Sequence, residues 1–172
     1  MKRSALTELP DYFDRYINLS DDVEISEALQ TSIDEISNAP VEKWSALGDK
    51  AYAPGKWTIK DMLQHMVDTE RIFCYRALAI SREEQQLLPG FDEDAYANAA
   101  HATHRTLPEI LDELLLLHKT TKALFDSFTP AMLHKRGRSF KGWYSVADIA
   151  FILAGHQRWH FKVLEERYYP LL

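Results

Sequence analysis

The chain has 172 residues, 46% hydrophobic and 27% charged, with a formal net charge of −6, enough for one globular domain with a core. The acidic balance disfavours a nucleic-acid backbone as partner, because such binding needs a basic face. The lone cysteine, Cys74, excludes an internal disulfide, and the apolar runs Leu114 to Leu117 and Ile149 to Gly155 fall short of the ~20 residues that span a bilayer.

The opening, MKRSALTELPDYFDRY, is basic but lacks the apolar stretch of a secretion signal. A cytoplasmic protein is therefore expected, with a single domain over residues 1–172. A short helix is expected near Asp11 to Asn18. The first long helix follows an Asp21-x-x-Glu24 capping box, places Ile25, Leu29, Ile33 and Ile36 on one stripe, and ends before Pro40. The second starts at Thr58, with Asp61 three residues on, and runs to about Ser81.

A connection of about 24 residues follows, including LLPGFDEDAYANAAHATH. It is long for a bundle turn and long enough to cross the bundle, so the second and third helices are expected to run parallel. The third starts at Thr106, with Pro108 in its first turn and Glu109 closing a capping box, and runs to about Phe128. The stretch His134 to Trp143, HKRGRSFKGW, reads as a solvated basic loop. The fourth starts at Ser145, with Asp148 three on, and runs to about Tyr168, where Pro170 stops it. No segment shows β alternation, so the fold class is all-α, a four-helix bundle. WTIKDM and WYSVADI echo each other, either as two good helix starts or as a pseudo-repeat.

The chemistry-bearing residues are histidines. His156 and His160 share the stripe Ile149, Leu153, His156, His160, Val163 and Leu164. Two buried imidazoles side by side need something between them, because burying unpaired polar groups costs free energy; a metal ion accepts both at this spacing. The best third ligand is His65, on the stripe Met62, His65, Thr69, Ile72 and Arg76. At ~1.5 Å per residue, His65 lies about 10 Å from the start of its helix, and His160 and His156 about 12 and 18 Å from the end of theirs. Antiparallel packing brings all three to similar depth. The competing reading is three packed or exposed imidazoles. His101 and His104 fall in a polar stretch and His134 in the basic loop. His118, among leucines, reads as a satisfied core histidine or as a support behind the site.

GKWTIKDMLQHMVDTERIFCYRAL and SVADIAFILAGHQRWH resemble the DinB superfamily, particularly its YfiT-like branch of metal-dependent proteins. The resemblance runs from LPDYFDRYI to EERYY. Its most specific parts are the Trp-Thr opening with a histidine seven residues after the Thr, Asp68 three residues further on, and the late Gly-His-x-x-x-His. It implies an up-down-down-up four-helix bundle and a metal triad at His65, His156 and His160. Characterised members include S-transferases that use low-molecular-weight thiols, and a thiol-dependent isomerase. The resemblance therefore implies a metal-dependent thiol S-transferase or hydrolase acting on a small molecule, or else a non-catalytic, stress-related metal-binding bundle.

Three neutral imidazoles leave open positions on a divalent ion, the layout of a catalytic site; zinc and nickel suit imidazole best. A low-molecular-weight thiol is a candidate co-substrate. Asp68, one turn from His65, is a candidate to orient a ligand or water, against a plain surface carboxylate. Arg76, eleven residues from His65, is a candidate to bind a carboxylate of substrate or thiol, against a bundle ion pair. Glu70, Arg71 and Tyr75 fall off the stripe and read as structural or exposed, Trp143 and Trp159 as packing, and Cys74 as an inert core thiol. Members are often dimers, and the tail YYPLL offers an apolar surface for a homodimer; a monomer is equally consistent.

Overall fold

Four helices carry the fold: α1 (Ile25–Ser37), α2 (Ile59–Ser81), α3 (Leu107–Asp126) and α4 (Val146–Val163), in a computed structural model that describes residues 1–172. Thr58 with Asp61, Thr106 with Glu109, and Ser145 with Asp148 each form a complete capping box. Three of the helix starts are thus set by local sequence, each hydroxyl and carboxylate satisfying a backbone N–H that the helix leaves open. The echo between WTIKDM and WYSVADI is this capping device, which α3 shares without the echo.

Helix α1 starts differently. The expected Asp21-x-x-Glu24 box does not form: Glu24 is the N-cap residue without a side-chain cap bond. Its carboxylate meets the N-terminal amine, and Asp21 accepts from Arg158 at 2.8 Å. Both carboxylates take charged donors, which make stronger hydrogen bonds than a neutral backbone N–H.

Side-chain contacts fix the directions. Ser20 donates to the Phe151 carbonyl, Gln157 to the Ser32 carbonyl, and Arg158 to Glu35, so α1 and α4 run parallel. Arg105 donates to Gln64 and Thr121 to Glu70, so α2 and α3 also run parallel. The Tyr144 ring, just before α4, stacks on Phe73 late in α2, while His160 late in α4 meets His65 early in α2; this pair is antiparallel. The result is an up-down-down-up bundle. The connection that returns the chain for α3 contains a helix, Glu93–Ala100, and a turn, Ala102–His104.

The basic stretch before α4 is not a loop. It forms a hairpin of β1 (Arg136–Ser139) and β2 (Gly142–Ser145), with Phe140 and Lys141 as its two-residue turn. On β1 the buried positions are Gly137 and Ser139, so the alternation is carried by small residues. A Cβ at Gly137 would lie 2.4 Å from the Ile80 side chain, so a larger residue there would force Ile80 to move. A short helix at Asp14–Ile17 lies within the expected span, and another at Val41–Leu47 was not foreseen.

Helix α4 is buried on all sides from Val146 to Gln157. One apolar cluster gathers around Phe13, Phe73, Tyr144 and Phe151; a second gathers around Trp44, Leu63, Ile110, Leu114 and Tyr168. The tail packs on its own bundle, where Tyr168 donates to the Trp57 carbonyl at 2.6 Å and Trp44 donates to the Tyr169 hydroxyl at 3.1 Å. No helix is long and apolar enough to cross a membrane.

One polar chain crosses this core. His118 Nδ1 donates to Glu70 Oε2 at 2.7 Å, and Thr121 donates to Glu70 Oε1. Gln157 Nε2 donates to the Ser32 carbonyl and to Glu35, which turns Gln157 Oε1 toward His118 Nε2 at 2.6 Å. Both ring nitrogens of His118 are therefore donors, the pattern of an imidazolium. Burial lowers its pKa, but the Glu70 carboxylate and the Gln157 oxygen outweigh that and raise it above the ordinary histidine value.

The sign follows. A raised folded-state value stabilises the fold fully below the unfolded value of ~6.5, and the contribution is lost as pH rises through the folded value. Glu70→Gln is expected to cost ~3–5 kcal/mol in urea unfolding near neutral pH, the usual cost of breaking a buried pair. Wild type should also lose stability relative to Glu70→Gln as pH rises above ~6.5. A constant difference across that range would show His118 to be neutral.

Candidate metal centre

His65 lies two turns into α2, behind the Thr58 cap; His156 and His160 lie one turn apart near the end of α4. Antiparallel packing brings their rings together, with centroids at 5.0 Å for His65–His156, 5.1 Å for His65–His160 and 4.4 Å for His156–His160. One nitrogen from each converges, all within 4.8 Å of one another. His65 Nε2 is 3.1 Å and His160 Nε2 2.9 Å from His156 Nε2. All three side chains are buried, with exposures of 9%, 6% and 8%.

The protons do not account for this arrangement. A single lone pair or N–H on His156 Nε2 cannot serve both neighbours. Burial lowers the pKa of His65 to about 4 and of His160 to about 3, and takes His156 well below the ordinary value, so the rings are neutral near pH 7. His160 Nδ1 is buried with no partner. A divalent ion resolves the crowding: with metal–nitrogen bonds of ~2.0–2.1 Å, two ligands of one ion sit roughly 3 Å apart, matching the 3.1 and 2.9 Å pairs. The residues present fit such an ion.

Neighbouring groups orient the rings. Thr69 Oγ1 stands 3.4 Å from His65 Nδ1, a long contact that favours Nε2 as the free nitrogen. Trp57 packs on His65 with centroids 4.7 Å apart, and Tyr16 meets His156 edge-on at 5.2 Å. Tyr16 gets that close because residue 155 is glycine, where a Cβ would lie 1.7 Å from the Tyr16 carbonyl oxygen.

The other candidates fall elsewhere. Asp68 accepts from Gln64 at 3.0 Å and lines an outer groove with Arg71 and Arg105; it is Thr69 that touches His65. Glu70 is buried in the polar chain of the core. Arg71 pairs with Glu113 at 2.6 Å on the surface. His118 is held by Glu70 and Gln157, so it is a satisfied core histidine. Burial pushes the Cys74 thiol up to about 12, and its sulfur sits 3.1 Å from the Thr121 hydroxyl. Sequence reasoning passed over Thr69, although it lies on the His65 stripe one turn along.

Two cavities reach the triad through different histidines. His160 lines an open cleft of about 720 Å³ with Trp57, Trp159, Tyr168 and His101. His65 and His156 line a narrower cavity of about 70 Å³, walled by Tyr12, Phe13, Tyr16 and Phe73, with Arg76 on its lining.

Comparisons with known proteins agree with this architecture. The family model of the DinB superfamily matches residues 25–164. No curated protein sequence matches the chain. Among solved structures, YfiT from Bacillus subtilis, described as a probable metal-dependent hydrolase with an unusual four-helix bundle topology, superposes with a TM-score of 0.70 at 16% identity, covering 99% of this chain and 93% of that one.

Gly155 tests how the ring of His156 is placed. Alanine in mid-helix normally gains ~1 kcal/mol over glycine, whereas overpacking costs ~1–3 kcal/mol or more. Gly155→Ala should be net destabilising by ~2 kcal/mol in denaturant unfolding, because the Asp14–Ile17 backbone must move. A neutral or stabilised variant would contradict the contact with Tyr16.

Proposed function

The chain belongs to the DinB superfamily, and from that membership and the site we propose that it is a divalent-metal-dependent enzyme acting on a small molecule, with water or a low-molecular-weight thiol as nucleophile. The observation that carries this reading is the position of the three imidazole nitrogens beside two cavities. A purely structural ion would be closed off by its protein ligands, whereas three ligands beside open space leave room for a reacting group. The description of YfiT as a probable metal-dependent hydrolase points the same way.

His65, His156 and His160 would hold the ion, zinc or nickel by the preference of imidazole. Such an ion supplies Lewis acidity and lowers the pKa of a coordinated water or thiol toward neutrality. The chain does the rest. Thr69 holds the His65 ring, and Tyr16 and Trp57 wall the site. The wide cleft on the His160 side admits a polar molecule past Lys56, Asn98 and His101. The aromatic cavity excludes water from an apolar group. Two chambers reaching one centre suit a reaction between two molecules, which favours thiol transfer over simple hydrolysis.

Elemental analysis of tag-free protein is the first test. Wild type should carry about one equivalent of divalent metal, lost in His65→Ala and in His156→Ala. Thr69→Val, which keeps shape and removes the hydroxyl, should weaken metal affinity by ~10-fold, the lower end for a residue that orients a ligand. Metal-dependent conjugation of a thiol panel to a small electrophile, against hydrolysis of esters and amides, then separates the two chemistries. A wild type that binds no zinc, nickel or iron on reconstitution would remove the reading. A metal-loaded protein inert toward the whole panel would leave a binding protein.

A further inference from the structure

Arg76 is a charge without a counter-charge. It is only 4% exposed, yet no carboxylate reaches it; every ion pair in the molecule involves other cations. One of its five N–H groups is committed, Nη2 donating to the Pro89 carbonyl at 2.8 Å. The guanidinium carbon lies 4.7 Å from the centre of the Phe73 ring. Beside it stands the buried, neutral Tyr144 hydroxyl, which Arg76 and Ser139 both approach without reaching good hydrogen-bond geometry. Buried charges are ordinarily paired, because desolvation costs several kcal/mol or more. Here the chain supplies packing and one carbonyl, and no anion.

The empty half of that pair faces the aromatic cavity. Arg76 lines the same space as His65 and His156, on the same face of α2, three turns further along. At ~1.5 Å per residue the two backbones lie roughly 16 Å apart, and an arginine side chain leans back toward the N-terminus of its helix, shortening the gap. Lys141, from the hairpin turn, lines the cavity as a second cation, its Nζ 4.0 Å over the Tyr12 ring. The one acid on the lining, Glu93, is half-buried and pairs with neither cation.

We infer that this cavity is an anion-anchoring subsite: it takes the carboxylate end of a small molecule with an apolar or aromatic body, clamped by Arg76 so that the other end points at the histidine triad. The planar guanidinium has a free edge suited to two parallel hydrogen bonds to a carboxylate. The Phe13 and Phe73 rings enclose the body. The assignment rests on the triad being the reacting end of the site, but the anchoring itself needs no metal. Arg76 is a binding residue in this scheme, with no part in bond making.

The test uses benzoate and its neutral isostere benzamide as probes, on metal-stripped and zinc-loaded full-length protein. Binding is followed by backbone amide NMR shifts. Metal-stripped wild type should bind benzoate at least ten-fold more tightly than benzamide, with the largest shifts at Phe73, Gly90 and Phe91. Arg76→Met should abolish the preference, and Arg76→Lys should keep part of it. Circular dichroism establishes that each variant is folded. Should both variants fail to fold, the benzoate preference and the shift map in wild type decide alone.

Equal binding of the two probes, no saturable shift with benzoate, or a preference that survives in Arg76→Met overturns the proposal. Benzoate that binds only the zinc-loaded form, with shifts confined to the histidines, also overturns it, since the anion then binds the ion. A protein that takes no metal yet binds benzoate through Arg76 would sink the catalytic reading and leave the subsite standing.

Discussion

Glu70 and His118 meet at 2.7 Å inside the bundle, and much of the molecule is arranged around that contact. A lone carboxylate or imidazolium there would be costly, so each must find its partner at one depth. Gln157 extends the pair to α4, and the Ser32 carbonyl with Glu35 extends it to α1. One polar chain thus sets the register of all four helices. Its consequence for the site is direct. Glu70 is five residues beyond His65, and Gln157 stands between His156 and His160. Once Glu70 and Gln157 are pinned to the same histidine, the triad comes to a common depth. An apolar core loses uniqueness before it loses stability; a buried polar chain whose partners must meet selects one register.

The topology completes what the register begins. Because α2 and α3 run parallel, the connection between them must travel the length of the bundle, and it does so beside the site. It delivers Pro89 to Arg76, Gly90, Phe91 and Glu93 to the inner cavity, and His101 to the outer cleft. A hairpin turn between these helices would leave both cavities without a wall. The β1–β2 hairpin closes the same side: Phe140 packs so tightly on Gly90 that a Cβ there would lie 2.9 Å away. The long crossover thus helps to wall both cavities, of about 720 and 70 Å³, beside an otherwise packed bundle.

How much of this was legible depends on where each residue finds its partner. The starts of α2, α3 and α4 could be read because both members of a capping box lie three residues apart. The start of α1 could not, because Asp21 and Glu24 bind Arg158 and the N-terminal amine, far off in sequence. The triad was approachable from helical spacing plus depth, two quantities that survive folding unchanged. Asp68 and Thr69 show the limit of such reasoning. Lying three and four residues from His65, they fall on nearly the same side of the helix, and only packing decides that Thr69 touches the ring while Asp68 turns to Gln64. The hairpin left no pattern because its inward residues on β1, Gly137 and Ser139, are small rather than apolar. Glu70 read as structural or exposed, and its structural role could not be specified further because its angle points away from the histidines, toward α3, whose position no local pattern gives.

Helix α2 presents the sharpest contrast in the molecule. Glu70 and Arg76 are six residues apart and both 4% exposed. Their opposite signs would let them neutralise each other at slightly different spacing, yet they face different ways. Glu70 turns to α3, where His118 and Thr121 occupy both of its oxygens. Arg76 turns to the cavity, where one carbonyl, one aromatic face and the neutral Tyr144 hydroxyl meet it. If Arg76 served packing alone, methionine or leucine would fill the volume without the desolvation cost. A guanidinium kept in that place makes energetic sense when its counter-charge arrives from outside. The same logic applies to the three neutral imidazoles, whose nitrogens crowd together as the ligands of a divalent cation would. His65 of the triad and Arg76 lie along a single face of α2, and α4 brings the other two imidazoles to the first of them. Under the proposed function they receive the two ends of one ligand, a reacting group at the histidines and an acid at Arg76.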